Sequence, residues 1–408
     1  MLTTDMIDIH TTEYRRASFA LCLGSFLIFC NLYLFQPMLP LMAVHFSVSA
    51  TQVNWLVAAA TLALAVTLVP WAVWSERIGR RAVMLISLAL LPVIGFMMLT
   101  VESLLMLSLS RALMGAALAG FAAVAVAYMA EEFTSRALML AVGGYISANS
   151  LGGIAGRISG GFLSERYGWQ GAVVCMAVFS LLVAIAIYFL LPEQRNFRPV
   201  KGQLRQQTYS VLVHLRTPEL WQAMLIGGVN FALFVNLYSV MGFRLVAEPY
   251  SVPVSWASMI FLCYLSGTVS AKLSGRWTQR FSPVLGMVLG TGVSALGMWV
   301  AWYESVVAMV IGLLLISSGS FFTHSLAYGW VSQRAKNAKA TATALYLVHY
   351  YAGGSLGGFY LIGCWQYFGW TGVIAGGSLL YALLAGLCYR LHAGTEGSAD
   401  APLPSEPR

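Results

Sequence analysis

Four ionisable side chains lie deep inside apolar stretches of the chain: Arg111, Arg157, His324 and His349. A buried arginine can bind an anion, and a histidine can carry a proton because imidazole titrates near neutral pH. Ionisable residues inside membrane-spanning segments are rare and mark functional sites by default. For each histidine, a neutral ring that is hydrogen-bonded inside a helix bundle is an equally good interpretation.

The amino-acid composition indicates which class of protein contains these residues. Of the 408 residues, 59% are hydrophobic and only 9% are charged. A soluble domain is typically about 25% charged, so a soluble globular protein, a disordered chain and a coiled coil are all excluded. The chain is therefore predicted to be a polytopic membrane protein.

Twelve stretches are long and apolar enough to cross a hydrocarbon core of about 30 Å, which needs about 20 residues. They lie near residues 17–46, 53–74, 82–101, 105–130, 138–163, 170–191, 219–243, 254–275, 284–303, 306–330, 340–363 and 371–391. The predicted fold is an all-α membrane protein with twelve transmembrane helices in two pseudo-symmetric six-helix bundles. The predicted units are a tail 1–16, a first bundle 17–191, a central loop 192–218, a second bundle 219–391 and a tail 392–408.

The distribution of positive charge predicts the orientation. If the amino terminus is cytoplasmic, Arg166 and Arg244 are the only lysines or arginines in outer loops, and most of the 23 fall in cytoplasmic segments. Cytoplasmic loops of membrane proteins carry this excess. Both termini are therefore expected inside, and the net charge of +8 needs no nucleic acid to explain it.

The two halves of the chain resemble each other. A shift of 201 residues places Gly168-Trp169 on Gly369-Trp370, and a shift of 205 places Asn31-Leu32-Tyr33 on Asn236-Leu237-Tyr238. Two homologous halves imply a pseudo-two-fold axis along the membrane normal, with a binding site between them.

Segment 72–81, after the second predicted helix, reads AVWSERIGRR. It resembles the signature G-x-L-A-D-R-x-G-R-R of the major facilitator superfamily, and the resemblance extends over nearly the whole chain. It implies that Glu76 faces the end of the eleventh helix and that Arg77 or Arg80 pairs with Glu131 or Glu132. These five residues would form a conformational lock; plain topogenic charge is the alternative.

Two further motifs carry the resemblance. Leu107, Arg111 and Gly115 fit the family pattern l-x-x-x-R-x-x-x-G, whose arginine is tied to proton coupling in related antiporters. The fifth helix reproduces G-x8-G-x3-G-P-x2-G-G of the drug and sugar efflux branch, with Arg157 in place of the proline. The glycines of this helix-packing motif are Gly143, Gly152, Gly156, Gly160 and Gly161. Segment 36–40 also resembles arabinose-efflux-like permeases of bacterial inner membranes.

The polar residues within the spans suggest a substrate class. All fifteen acids lie in loops, tails or helix ends. A positive cavity without a carboxylate disfavours cations, so neutral or anionic solutes are expected, with an arginine near an anion. Tyr33 and Gln36 are three residues apart and can face one cavity, whereas Asn31 is expected to bond between helices. Further cavity candidates, any of which could instead join helices, are Asn149, Asn230, Asn236, Tyr346 and Tyr350.

The sequence has no phosphate-binding G-K-S/T loop, no metal-ligating cluster and no catalytic triad. We therefore expect no cofactor, no metal and no enzymatic activity. The resemblance implies a monomeric secondary transporter of the bacterial inner membrane that uses alternating access. It also implies that the transporter binds a small-molecule substrate and protons, contacts membrane lipid and exports its solute. The alternatives are a symporter or facilitator that imports an organic anion, and a transporter-like sensor.

Overall fold

A computed structural model describes residues 6–197, 199, 211–335 and 339–399, with the side chains of 339, 340 and 394–399 left out. Part of the predicted central loop 192–218 and the end of the predicted tail 392–408 lie outside the described residues.

Ten helices within the described part of the chain are long and apolar enough to cross a membrane. Two of them, Ser135–Leu190 and Lys339–Ala399, are about twice the usual length. Each is interrupted at one glycine with a non-helical backbone, Gly168 (φ 73°) and Gly369 (φ 61°). Glycine adopts positive φ without a Cβ clash, so each break separates two spans and the twelve predicted spans are present.

The helices are numbered in chain order. They are α1 (Thr12–Tyr33), α2 (Ala50–Ile78), α3 (Arg80–Thr100), α4 (Leu104–Glu132), α5 (135–167), α6 (169–190), α7 (Pro218–Val246), α8 (Val254–Trp277), α9 (Pro283–Val300), α10 (Val306–Arg334), α11 (339–368) and α12 (370–399).

The first helix is shorter than its predicted span 17–46. It ends at Tyr33, and after a turn a short helix, Leu39–His45, follows. Pro37 has no N–H to donate to the Tyr33 carbonyl and so cannot continue α1. This early end leaves carbonyl groups of α1 without helical partners, which matters for the site below.

The two halves repeat the same packing. Helix α1 lies along the α5–α6 pair, and α7 lies along the α11–α12 pair. Asn31 and Asn236 each donate to the carbonyl four residues earlier, at 3.1 and 2.9 Å. Together with the matching glycine breaks, this confirms an all-α membrane fold of two pseudo-symmetric bundles.

The halves meet at the end of the molecule that carries the α1–α2, α5–α6, α7–α8 and α11–α12 connections, called the outer end here. Thr51 Oγ1 donates to Gln366 Oε1 at 2.8 Å, and the Ser255 amide donates to Glu165 Oε2 at 2.8 Å. The rings of Trp55 and Phe359 pack with centroids 4.7 Å apart. The outer end is therefore closed in this conformation.

Candidate functional site

Arg157 lies on α5 and is only 1% exposed. Its Nε donates to Gln36 Oε1 at 2.7 Å, and one terminal nitrogen donates to the Gly153 carbonyl at 2.7 Å. The guanidinium carbon lies 3.6 Å from the centroid of the Tyr33 ring. A side chain at position 153 would crowd that nitrogen, because a Cβ there would lie 3.1 Å from it. The structure thus brings together Tyr33, Gln36 and Arg157.

The second half of the protein completes the surroundings of Arg157. The guanidinium carbon lies 5.0 Å from the Phe261 ring and 4.8 Å from the Tyr264 ring, both on α8. Within the described residues no carboxylate forms an ion pair with Arg157. The buried charge is balanced by aromatic faces and carbonyl dipoles, which stabilise a cation without neutralising it.

Gln36 connects this group to α7. Its Nε2 donates to the Val235 carbonyl at 2.9 Å and to Ser239 Oγ at 2.8 Å. Sequence reasoning missed Ser239, Phe261 and Tyr264, because nothing in their spacing links them to a residue on α5. Only the packing of the halves does so.

Arg111 makes a different set of contacts. Its guanidinium donates to the carbonyls of Leu56, Asn31 and Leu32 at 3.0, 3.1 and 2.7 Å. Two of these carbonyls lie in the last turn of α1, where no helical N–H is available. Arg111 therefore caps α1 from α4. This geometry gives it a structural task, while its part in proton coupling stays a prediction.

The two histidines lie in the second half and are both partly exposed at mid-helix. His324 Nδ1 bonds to Tyr346 Oη at 2.9 Å, and its ring centroid lies 4.4 Å from that of Tyr350. Tyr350 in turn stacks on Phe231 at 3.9 Å. His349 Nδ1 bonds to the Leu345 carbonyl at 2.8 Å. Since a carbonyl only accepts, that nitrogen carries the proton and Nε2 is the acceptor in the neutral ring.

The asparagine side chains divide into two groups. Asn230 and Asn236, the cavity candidates for which joining helices is the alternative, are both buried and donate to carbonyls of neighbouring helices, Ser320 at 3.0 Å and Gly354 at 2.8 Å. Each side-chain amide donates to a backbone carbonyl of the neighbouring helix and so joins two helices. Asn31 bonds to Ser180 Oγ on α6 at 3.0 Å. Asn149, by contrast, is partly exposed and pairs with Ser25.

One of the basic residues after α2, Arg80, forms an ion pair within the first half. Arg80 Nε lies 3.1 Å from Glu131 Oε1, and Gln194 Nε2 donates to the other oxygen of this carboxylate at 3.0 Å. Arg77 is exposed, and Glu76 is half-buried in the last turn of α2.

Glu132 holds the start of the central segment. It is fully buried and accepts from the amides of Arg195 at 3.1 Å and Asn196 at 2.9 Å. Nearby, the hydroxyl of Thr134 donates to Asp8 Oδ1 at 2.9 Å, and this bond lowers the pKa of that carboxyl. The amino-terminal segment and the central segment are both attached to the end of α4.

The five glycines of the helix-packing motif on α5 differ in what packs against them. Gly152, Gly156 and Gly160 lie against the backbone of α1 or the turn that follows it. Gly161 lies against Ser258 of the other half. A Cβ at Gly143 would meet no atom within 4 Å, so the structure differs from the packing role predicted for that residue. The close approach of α1 and α5 therefore depends on Gly152, Gly156 and Gly160.

These features agree with the comparison to known proteins. The sequence model of the Major Facilitator Superfamily matches residues 21–358. The chain belongs to this family of membrane transport proteins.

Two relatives illustrate the similarity. The chain is 33% identical over 391 residues to the inner membrane transport protein YnfM of Escherichia coli (strain K12), covering 94% of this chain and 93% of that protein. It is 32% identical over 381 residues to the MFS-type transporter YybF of Bacillus subtilis (strain 168), covering 92% and 93%.

Among solved structures, the fold is similar to a bacterial homolog of the human lysosomal transporter Spinster in an inward-facing and occupied conformation. The TM-score is 0.69 at 16% identity, with 92% of this chain and 96% of that chain covered. At this identity the likeness shows the fold alone.

Proposed function

We propose that the protein is a secondary active transporter that moves a small organic solute across the bacterial inner membrane by alternating access. The main supporting observation is the group around Arg157. There the turn after α1 contacts α7 through Gln36, and α5 contacts α8 through Arg157. Contacts of this kind hold the outer end closed and must separate for the site to open outward. The name of the YnfM relative supports the inner membrane, and the charge distribution supports cytoplasmic termini.

The solute is neutral or anionic. Arg157 and the partly exposed His324, His349, Tyr350 and Asn149 supply hydrogen bonds and positive charge. A cation would lose its hydration in this region without gaining a carboxylate partner, which is unfavourable.

Transport is coupled to protons and runs outward. The efflux-type glycine motif supports export, and the acceptor nitrogen of His349 supports a histidine as the proton carrier. The uncompensated Arg157 favours a second candidate, which is import of an organic anion by symport or facilitated diffusion.

The test uses purified protein in liposomes that contain a pH-sensitive dye. A proton gradient is imposed, and sugars, organic anions and lipophilic cations are added in turn. We expect solute-dependent proton flux with sugars or anions, and the sign of the flux separates antiport from symport. A response confined to lipophilic cations contradicts the proposal, as does an absence of transport of every solute.

A further inference from the structure

We propose that Arg157 and Tyr264 form a carboxylate-binding site shared by the two halves, which is shut in this conformation and opens when α8 moves away from α5. The ligand is an organic monocarboxylate. This inference rests on the proposed alternating access and names the substrate class of the same central site.

The first argument is the unbalanced charge. Arg157 is 1% exposed, and the described residues offer it carbonyl and amide oxygens but no carboxylate partner. Gln36 and Gly153 engage two of its five N–H donors through hydrogen bonds. A carboxylate is the ligand that complements a guanidinium most closely, because it accepts two parallel bonds.

The second argument is an unused hydroxyl beside this charge. Tyr264 is 6% exposed, and its Oη has no hydrogen-bond partner in the described structure. Buried hydroxyl groups normally have a partner, so this hydroxyl is available to bond a ligand that reaches it. The centroid of the Tyr264 ring lies 4.8 Å from the Arg157 guanidinium carbon, so this tyrosine belongs to the group of residues around Arg157.

The third argument is the division of these groups between the halves. Tyr33, Gln36 and Gly153 would remain with Arg157 on the first half, whereas Phe261 and Tyr264 would leave with α8. Separation therefore removes two of the three aromatic faces and exposes the charge to water and to anions. An anion that enters the gap bonds Arg157 and prevents the rings from returning, so it favours the conformation with the outer end open.

The nearest acid on α5 is Glu165, two turns further out. It accepts from the Ser255 amide at 2.8 Å in the closed conformation. When the halves separate, this carboxylate is released at the mouth of the site beside Arg166, so the two charges offset each other there. The one uncompensated charge is then that of Arg157, which matches a single carboxylate. The site therefore suits a monocarboxylate.

The experiment measures the width of the outer end. Spin labels are attached at Phe162→Cys and Trp256→Cys, whose native rings lie 6.4 Å apart across the two halves, in a background without the six native cysteines. Distances are recorded by pulsed electron resonance in liposomes with acetate, with benzoate, or with benzamide, the uncharged isostere of benzoate. A fourth sample has an imposed proton gradient and no added ligand.

We expect benzoate or acetate to raise the population of long distances and benzamide to leave it unchanged. In Arg157→Gln the apparent affinity for the carboxylate falls by about tenfold or more, since a charge-assisted pair is lost. Arg157→Lys should retain part of the rise in long distances and controls for folding. Tyr264→Phe should weaken this response to carboxylate, because it removes the hydroxyl and preserves the ring.

Two results in the ligand series overturn the site: an equal response to benzoate and benzamide, or an unaltered carboxylate response in Arg157→Gln. A long-distance population that appears with a proton gradient but not with either carboxylate overturns the site and leaves alternating access standing. A single short distance under every condition overturns alternating access itself.

Discussion

Thr61 on α2 and Ser355 on α11 share a hydrogen bond of 2.6 Å across the two halves of the protein. Each hydroxyl also has a carbonyl of its own helix as an alternative acceptor, Val57 at 3.1 Å for Thr61 and Tyr351 at 2.9 Å for Ser355, and the hydroxyl that donates across the halves leaves the other free to donate to its own helix. The shared bond replaces one of these two side-chain bonds, leaves the backbone hydrogen bonds of both helices intact, and depends on the closed outer end.

We expect Thr61→Val and Ser355→Ala each to shift the free-energy difference between the closed and open outer end by about 1 kcal/mol toward the open conformation. The reason is that the cross-half bond is lost while both helices persist. The double variant should differ little from either single one, since the same bond is removed. The spin-label distance measures this population. Thr67→Val is the matched control, because Thr67 donates at 2.7 Å to Ala63 on its own helix. Additive effects of the two variants would contradict the prediction.

Gly156→Ala should destabilise the protein by about 1–3 kcal/mol, since the added methyl group would lie 2.5 Å from Cys30 Cα, where only backbone can move. Gly143→Ala, on the same helix, should be neutral or slightly stabilising because the added methyl group meets open space. Thermal unfolding in detergent compares the two variants. Equal melting temperatures would show that α1 and α5 do not pack as described.

Arg111→Ala should lower stability by about 3 kcal/mol or more, because three buried carbonyls lose their donor. Arg111→Lys should recover only part of this loss, since an ammonium group cannot match the guanidinium geometry. Thermal unfolding and proton flux are measured on the same preparations. An Arg111→Ala protein that melts normally but no longer couples protons would support the coupling role implied by the family motif instead.

Gln36→Glu places a carboxylate beside Arg157 and removes the donor to Val235 and Ser239. The new charge should occupy the proposed anion site, so the benzoate response is lost. Gln36→Met is the control that removes the bonds to α7 and the acceptor for Arg157 without adding a charge, and it should keep the response. Retention of the full benzoate response in Gln36→Glu would argue against Arg157 as the anion ligand.

His349→Gln should abolish solute-dependent proton flux while leaving transport of labelled solute measurable, because the amide cannot carry a proton at the position of Nε2. His324→Gln should have a smaller effect, since the rings of Tyr346 and Tyr350 pack against the His324 ring, with centroids 5.5 and 4.4 Å away, and leave it less room to exchange a proton. Proton flux and solute uptake are compared in liposomes. If both variants couple normally, neither histidine is the proton carrier.

The sequence alone determined the class and the repeated architecture. Apolar stretches of about 20 residues predict spans because a membrane core leaves backbone groups no partner except within a helix. The Gly-Trp pairs at 168–169 and 369–370 also predicted equivalent positions in both halves, and the structure has the same helix break at each. These are local properties of the chain.

Tertiary structure alone decided what the polar side chains do. Asn230, Asn236 and Arg111 have sequence surroundings like those of cavity residues, yet packing gives each of them carbonyl partners. Arg157 could be picked out as an unusual charge, but its aromatic neighbours on α8 lie about a hundred positions away in the sequence. The physical reason is that helical periodicity specifies which face a residue occupies, whereas its partners depend on which helix packs against that face.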